Sequence, residues 1–287
     1  MTDIIPTHCA TPGTDPVAKE ARLAHWLRDR GSVLVGYSGG VDSTYLACVA
    51  LRTLGPDHVL AVIGRSASYP LEQWATARET GMRLSLPVLE LDTAELDDPR
   101  YTANPTNRCY FCKSTLWARL VPVARARGLA AVIDGTNADD VHDHRPGARA
   151  GREHGVESPL ADLGFTKSDI RDRSRALDLP TWAQPSSPCL ASRIPYGSPV
   201  TAERLRRVEA AERALRDLGV TGDLRVRDHG DLARIELPAA TFGHWYAPAL
   251  RQRVAAAVCA TGYAYAALDL TGFRSGSLNV LAGVHGE

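Results

Sequence analysis

The sequence lacks any excess of charge, because its 33 lysines and arginines are balanced by 33 aspartates and glutamates. The arginines are also dispersed along the chain, so the composition gives no basic footprint of the kind that binds a nucleic-acid backbone. We therefore expect no nucleic-acid partner. Internal repeats and low-complexity segments are absent as well, and 287 residues are expected to form one large or two modest globular domains.

No apolar stretch of the sequence reaches the length needed to cross a membrane, so we expect no membrane partner. Residues 1–16 contain Asp3, His8 and Asp15 and no apolar core segment, which is unlike a signal peptide. These features favour a cytoplasmic protein. Thiols stay reduced in the cytoplasm, where a Cys-x-x-Cys pair more often binds a metal or takes part in catalysis than forms a disulfide.

A Walker A motif is also missing, since no Gly-Lys-Ser or Gly-Lys-Thr occurs in the chain. The chain has instead the glycine loop Ser38 to Ser43, between an apolar strand pattern at 32–37 and a buried-helix pattern at 44–51. A strand, a glycine turn and a helix in this order direct backbone N–H groups and a positive helix end at an anion. A plain connecting turn is the alternative, and the complete six-residue string Ser-Gly-Gly-Val-Asp-Ser makes it the weaker one.

We predict that this loop binds the phosphates of ATP. Its glycines let the backbone approach phosphate oxygens, its serines add hydroxyl donors, and its aspartate is suited to orient the accompanying Mg²⁺ or the loop itself. The predicted ATP-binding residues are Ser38, Gly39, Gly40, Val41, Asp42 and Ser43. The string resembles the loop of the PP-loop, or N-type, ATP pyrophosphatases, which implies adenylation with release of pyrophosphate.

Strand and helix patterns alternate along the first part of the chain, beginning with a helix at Pro16 to Arg30 capped by Asp15. Alternation at this spacing predicts an α/β fold with a parallel sheet covered on both faces, and ligands bound beyond the carboxyl ends of the strands. The polar segment Asp134 to Asp140 follows the last of these strands and falls at the same edge, although a polar turn explains it equally well. The predicted strands are 32–37, 58–63, 86–91 and 130–134.

A second region follows the proline-rich stretch from Pro180 to Pro199. Its patterns predict a small α+β unit that serves as a lid or an assembly module. We set the domain bounds at 1–185 and 198–287. The predicted elements of the second unit are a helix at 201–218, strands at 224–227 and 233–237, a helix at 245–260 and a strand at 263–270.

Three of the six cysteines have no predicted role in chemistry. Cys48 and Cys259 lie in apolar or alanine-rich helical patterns and are expected to be core residues, and Cys9 lies in the N-terminal tail. The remaining three are Cys109 and Cys112, spaced as Cys-x-x-Cys, and Cys189, which follows a proline-rich loop able to hold a thiolate in a fixed position.

Three thiolates on a 4Fe-4S cluster leave one iron open, which is an arrangement for chemistry rather than for structure. A zinc site made by the same thiols with His142 or His144 is the alternative, and the sequence does not decide between the two.

Several segments resemble the LarE family, the ATP-dependent sulfur transferases that make the nickel-pincer cofactor of lactate racemase. The similarity extends from about residue 20 to residue 280, and Pro-Cys-Leu-Ala-Ser-Arg-Ile-Pro-Tyr-Gly at 188–197 is its most specific part. The resembling segments are 38–43, 104–113, 134–140, 144–147, 157–160, 188–197 and 225–230. The resemblance implies a PP-loop fold of the adenine nucleotide alpha hydrolase type with a small C-terminal α+β domain.

The resemblance also implies a substrate and a reaction. ATP would adenylate a carboxylate of pyridinium-3,5-biscarboxylic acid mononucleotide, after which sulfur would replace AMP to give a thiocarboxylate. Single-cysteine members sacrifice a cysteine at the position of Cys189. Because Cys109 and Cys112 accompany it here, the chain resembles the three-cysteine branch, in which a 4Fe-4S cluster carries the sulfide and the protein turns over; the sulfide donor is left open.

The anionic substrate requires cations, and arginine suits both phosphate and carboxylate groups. We predict Lys113, Arg193 and the alternating pair Arg225 and Arg227 as substrate-binding residues. The three arginines are expected to be exposed enough that their removal would hardly affect stability. Arg206 and Arg207 are expected to be ordinary surface charges. Ser192 is a further substrate candidate. Glu236 is suspected of a metal or substrate contact at a subunit interface of a homo-oligomer.

Three other functions remain open at this stage. A tRNA thiolase shares the loop, the cysteines and a cluster but requires a basic RNA-binding surface. An amide-forming ligase of the NAD- or GMP-synthetase kind shares the loop and needs ammonia rather than three cysteines. A zinc-stabilised nucleotide-binding module without catalysis would contain zinc and no iron.

Overall fold

The computed structural model describes residues 15–141, 146–185 and 187–274. Cys9, His142 and His144 lie outside these residues, so what the sequence predicts for them stays a prediction. Within the described ranges, no helix combines the length and the apolar character needed to span a bilayer.

The first region is built on a parallel four-stranded sheet in the order β3-β2-β1-β4. The sequence-based strands are confirmed, with bounds shifted by one or two residues. The chain places β2 and β3 on one side of β1 and β4 on the other, and in such sheets ligands bind where the order reverses. The strands are β1 (Val33–Gly36), β2 (Val59–Arg65), β3 (Val88–Asp92) and β4 (Ala131–Ile133).

Helices cover both faces of this sheet. The predicted first helix is confirmed at both bounds, with the Asp15 side chain accepting the N–H groups of Val17 and Ala18. The helices of the region are α1 (Pro16–Arg30), α2 (Val41–Leu54), α3 (Leu71–Arg83), α4 (Pro99–Thr102), α5 (Arg108–Ala126), α6 (Ala138–Val141), α7 (Pro146–Glu153), α8 (Pro159–Asp162) and α9 (Lys167–Ala176), with 3-10 turns at Pro56–His58 and Glu95–Asp97.

Alternate residues of β1 point into two separate cores. Val33 and Val35 pack with α1 and α2, whereas Leu34 packs with Trp117 and Leu120 of α5 on the opposite face. This is the period-two alternation expected of a strand buried on both sides. The predicted core residue Cys48 is confirmed, since it lies in the α1/α2 core at 5% exposure.

The second region forms its own small core between a three-stranded sheet and two helices. In this sheet β5 and β6 are antiparallel and β6 and β7 are parallel. The elements are a 3-10 turn at Leu190–Arg193, α10 (Ala202–Asp217), β5 (Arg225–His229), β6 (Leu232–Glu236), a 3-10 turn at Ala239–Thr241, α11 (Phe242–Trp245), α12 (Pro248–Cys259) and β7 (Tyr265–Leu268). The predicted α+β unit is therefore present, and Cys259 is half-buried rather than fully within its core.

A buried carboxylate organises this region. Asp228 is fully enclosed and accepts hydrogen bonds from Arg204, Arg207 and the Tyr263 hydroxyl at 3.0, 2.7 and 3.1 Å. The expectation of a surface charge holds for Arg206, which is exposed, but is wrong for Arg207. Two arginines balance one buried carboxylate, an arrangement that a helical sequence pattern does not reveal.

Candidate functional site

The phosphate loop joins β1 to α2 where the strand order of the sheet reverses. Gly39 has a φ of +66°, and a Cβ at this position would lie 2.4 Å from the Cβ of Ala77 in α3, so only glycine fits. Gly40 occupies the N-cap of α2 without a side-chain cap, which leaves the first N–H groups of the helix for an anion. The Ser43 hydroxyl closes the loop, lying 3.2 Å from the Ser38 amide nitrogen.

Lys167, the first residue of α9, is a charged neighbour of this loop that sequence reasoning missed. Its Nζ lies 2.5 Å from Oδ2 of Asp42, and its backbone N–H donates to Asp139 at 2.8 Å. Oδ1 of Asp42 is buried and makes no hydrogen bond within the described residues. The lysine thus provides the positive charge that the loop itself lacks. It lies 125 residues from Asp42 in the chain, and no local motif signals the pairing.

A cavity of about 400 Å³ lies at the carboxyl ends of β2 and β3. Tyr69 and Trp74 form aromatic parts of its wall, and Thr93 and Glu95 form polar parts. The Tyr69 hydroxyl donates to the backbone oxygen of Ser38 at 2.8 Å, so the cavity adjoins the phosphate loop. Its volume and mixed lining suit a nucleoside-sized ligand.

The structure brings the three predicted cysteines together. Cys109 and Cys112 lie one turn apart at the start of α5, and Cys189 is the N-cap of the 3-10 turn at 190–193. All three are free thiols. Cys109 is exposed at the surface, but the protein atoms packed around its thiol raise its pKa, and negative charge at Cys189 raises it further. Burial also raises the pKa of Cys112, with contributions from Glu95 and then Cys189. Cys189 therefore lies close enough to Cys109 and to Cys112 to act on both thiols electrostatically.

The loop that carries Cys189 is fixed by two buried polar residues that the sequence did not single out. Asn104, with a φ of +56°, donates to the backbone oxygens of Pro195 and Ser198 at 2.8 Å each. Arg108 donates to the side-chain oxygen of Asn104 at 2.5 Å and to the backbone oxygen of Ala191 at 3.0 Å. Burial acts to lower the pKa of Arg108, but negative charge at Cys189 and Cys109 outweighs it and raises the pKa. Arg108 is therefore a cation of the cysteine site.

The predicted arginines lie next to this loop, but they are not exposed. Arg193, Arg225 and Arg227 are between 3% and 9% exposed. Arg193 forms a double hydrogen bond with Glu212 at 2.9 and 3.0 Å, and Arg227 contacts Glu236 at 2.7 Å and the Ser192 backbone oxygen at 2.9 Å. The expectation that they are exposed is therefore wrong, and for Arg193 and Arg227 we now expect a loss of stability on removal, because removing one partner of a buried ion pair leaves an uncompensated charge.

The other predicted substrate and metal residues differ in their surroundings. Lys113 is exposed, and its positive charge acts to lower the pKa of Cys109 and Cys112. Ser192 accepts a hydrogen bond from Arg193 through its hydroxyl at 3.1 Å. Glu236 is fully buried between Arg227 and Arg234, and its metal contact stays a prediction.

No three His, Cys, Asp or Glu side chains converge on a single metal ion in the part of the chain that the structure describes. A tetrahedral zinc ion needs its ligands at one point, about 2.0–2.3 Å from the metal. In a 4Fe-4S cluster each thiolate binds a different iron, so the three sulfurs need not converge. Three thiols are a donor set that a 4Fe-4S cluster can use, and the zinc alternative needs His142 or His144, which lie outside the described residues.

Two consecutive residues connect the cysteine loop, which is the segment 188–197 that carries Cys189, to the phosphate loop. The backbone oxygen of Ser68 accepts the N–H of Leu190, which directly follows Cys189, at 2.8 Å. The hydroxyl of Tyr69 donates to Ser38 in the phosphate loop. One turn between β2 and α3 therefore contacts both halves of the candidate site.

Comparison with known proteins agrees with this geometry. The NAD synthase family model matches residues 22–119, the part of the chain that includes the phosphate loop, Cys109 and Cys112. An uncharacterized protein of Synechocystis is 42% identical over 262 residues, covering 91% of this chain and 97% of that protein. An uncharacterized protein of Methanocaldococcus jannaschii is 30% identical over 205 residues, covering 71% of this chain and 77% of that protein.

A third relative has a named activity. The pyridinium-3,5-bisthiocarboxylic acid mononucleotide synthase of Lactiplantibacillus plantarum is 38% identical over 261 residues, covering 91% of this chain and 94% of that protein. The parallel sheet with its phosphate loop and the small second sheet agree with a PP-loop domain followed by an α+β unit. With this identity over nearly its whole length, the chain belongs to the LarE family.

Proposed function

We propose that this chain is an ATP-dependent sulfurtransferase that acts on pyridinium-3,5-biscarboxylic acid mononucleotide, making the thiocarboxylate precursor of the nickel-pincer cofactor of lactate racemase. The observation that carries the proposal is the turn at Ser68 and Tyr69, which contacts the phosphate loop on one side and the loop that carries Cys189 on the other. Activation of a carboxylate and delivery of sulfur thus occur side by side. The name of the L. plantarum relative supports the choice of substrate.

In the activation half, the phosphate loop and the N-terminus of α2 bind the ATP phosphates. Lys167 adds the positive charge that a Walker lysine supplies elsewhere. The buried, unpartnered Oδ1 of Asp42 fits a divalent cation, and Mg²⁺ held there with the phosphates would neutralise the leaving pyrophosphate. The cavity lined by Tyr69 and Trp74 receives the nucleoside. AMP and pyrophosphate are the expected products.

In the sulfur half, Cys109, Cys112 and Cys189 are the residues that would hold a 4Fe-4S cluster. When bound through three thiolates, such a cluster supplies an open iron for a further sulfide. Arg108 and Lys113 provide the positive charge that favours thiolates over thiols at this site. Sacrifice of the Cys189 sulfur itself is the alternative mechanism. Three thiols that must stay reduced suit a cytoplasmic location, and a homo-oligomer stays our expectation.

Substrate anions are expected at the buried arginine cluster beside Cys189. Burial, together with the neighbouring positive charges of Arg193 and Arg227, lowers the pKa of Arg225 to about 10, against the opposing effect of Glu212. A phosphate or carboxylate bound here would reduce the repulsion between these guanidinium groups. This crowding of like charge supports their assignment, with Ser192, to substrate binding.

The activation step is tested by product analysis with ATP and the pyridinium substrate. We expect AMP and pyrophosphate from the wild-type protein. Asp42→Ala is expected to lose most of the pyrophosphate release, because it removes the carboxylate of the phosphate loop. Arg206→Ala, an exposed position in α10, is the matched control and should release pyrophosphate at the wild-type rate. Formation of ADP and orthophosphate would contradict the proposal.

The source of the sulfur is tested by intact-protein mass after reaction. If a cluster delivers sulfur, the polypeptide mass stays constant over several turnovers, and Cys109→Ala, Cys112→Ala and Cys189→Ala each lose the iron chromophore together with sulfur transfer. If Cys189 is sacrificed, the spent protein is lighter by one hydrogen sulfide. In that case Cys109→Ala and Cys112→Ala retain a single turnover.

A further inference from the structure

One side of α3 and of the turn before it lies against a single peptide unit of the phosphate loop. The Tyr69 hydroxyl and Nε2 of Gln73 both donate to the backbone oxygen of Ser38, at 2.8 and 3.0 Å. One turn further along, the Cβ of Ala77 occupies the space that a side chain at Gly39 would need. Tyr69, Gln73 and Ala77 are spaced four positions apart, which places them along the same side of the helix. The helix therefore fixes the peptide that joins Ser38 to Gly39.

The other end of that peptide is a hydrogen-bond donor without a partner. In a planar trans peptide the C=O and N–H bonds point in opposite directions. Because α3 holds the Ser38 oxygen, the Gly39 N–H points away from α3. Gly39 is buried, and its N–H donates to no group within the described residues. Buried N–H groups without a partner are rare in folded proteins, so this one is suited to a ligand.

The amide of Gln73 gives a second sign that this contact serves more than stability. Its Oε1 is buried and accepts no hydrogen bond from any residue that the structure describes. An unpaired buried acceptor is destabilising. A methionine would fill a similar volume without that acceptor, but it could not donate to Ser38. Gln73 thus supplies a donor to the phosphate loop at some cost to the fold.

We propose that Gln73 and Tyr69 are positioning residues for ATP, because by holding the Ser38 oxygen they keep the Gly39 N–H directed at the phosphate groups before the nucleotide binds. A donor that is already oriented need not be ordered on binding, which raises affinity. The two donors share one acceptor, so each partly replaces the other. The inference deepens the proposed function, and it rests only on the binding of phosphate groups by the loop.

The test uses Tyr69→Phe, Gln73→Met and the double variant in the full-length protein labelled with ¹⁵N. Inorganic pyrophosphate is the probe, and the amide resonance of Gly39 reports its binding. In the wild-type protein we expect this resonance to move downfield as pyrophosphate is added. Each single variant is expected to bind pyrophosphate up to about threefold more weakly, and the double variant about tenfold more weakly with a smaller movement of the resonance.

The matched control is Thr76→Val, which removes a hydroxyl of the same helix that donates to the Glu72 backbone oxygen at 3.0 Å rather than to the loop. This variant should bind pyrophosphate as the wild type does. The melting temperature of Gln73→Met is expected to stay within about 2 °C of the wild type, because one hydrogen bond and one unpaired acceptor are lost together.

Three results would overturn the proposal: unchanged pyrophosphate affinity in the double variant, a Gly39 resonance that does not move in the wild type, or a melting temperature of Gln73→Met well below that of the wild type, which indicates a structural role. Product analysis with ATP tests the proposed function separately. A chain that binds pyrophosphate through Gly39 but forms no AMP would keep this inference and lose that function.

Discussion

At the residue scale, the arginines beside Cys189 show that burial changes what a charged side chain contributes to the structure. Arg193 is 3% exposed, and besides Glu212 it donates to the backbone oxygens of Pro188 and Cys189 at 2.6 and 3.0 Å. Its guanidinium thus connects the cysteine loop to α10. The sequence string indicates an arginine next to a cysteine, but it contains nothing about Glu212, whose approach depends on the fold of α10.

We therefore expect Arg193→Ala to destabilise the protein by about 3–5 kcal/mol, because it leaves the Glu212 carboxylate without its buried partner. Urea unfolding of the two proteins measures this difference. The exposed Arg206→Ala is the control and should change the free energy of unfolding by less than about 0.5 kcal/mol. If Arg193→Ala were as stable as the control and impaired only in substrate use, Arg193 would serve substrate binding and not the fold.

At the element scale, the sequence predicted the strands and several of the longer helices because burial imposes a period on them. The strands of the parallel sheet and the α1 helix with its cap were recovered from apolar patterns and from Asp15. The short α4 helix has no such pattern. The contacts of Lys167 with Asp42, and of Asn104 with Pro195, join positions about 90 or more residues apart. Such pairs are set by the three-dimensional arrangement and leave no local trace in the sequence.

The turn into α2 allows a test of what glycine contributes there. Gly39 and Gly31 both have positive φ, at +66° and +76°, but a Cβ would meet α3 only at Gly39 and nothing within 4 Å at Gly31. Gly31→Ala should cost about 1–2 kcal/mol from backbone strain alone and retain ATP binding. Gly39→Ala should cost more and lose ATP binding, because either the loop or α3 must move.

Calorimetric titration with ATP and thermal unfolding of both variants measure these effects. Equal losses of stability, or ATP binding retained in Gly39→Ala, would mean that the fit of the loop against α3 is not what positions the nucleotide.

At the scale of the whole molecule, the two regions share a core. Tyr101 of α4, in the first region, packs in one core with Leu190 of the cysteine loop and with Leu205 and Val208 of α10. The Glu209 carboxylate of α10 also accepts the first N–H of α3, that of Leu71, at 2.6 Å. The domain bounds at 185 and 198 therefore stay a prediction, and the cysteine loop depends on both sides of that division.

Thermal unfolding of the whole chain is accordingly expected to follow one cooperative transition, monitored in parallel by circular dichroism and by tryptophan fluorescence. A fragment comprising residues 1–197 should expose the apolar side chains of the cysteine loop and melt at a lower temperature than the full chain. Two separated transitions in the full chain, or a fragment as stable as the whole, would show that the regions fold independently.

The turn between β2 and α3 also limits how many residues it can contain. Ser68 and Tyr69 are adjacent, and their bonds to Leu190 and Ser38 each tolerate only a few tenths of an ångström. One inserted residue lengthens an extended chain by about 3.3–3.6 Å. Surface loops usually accept insertions and deletions freely. In this turn the exposed Ala67 should be replaceable by other side chains, whereas a change in the number of residues should separate the two loops and is expected to be rare among relatives.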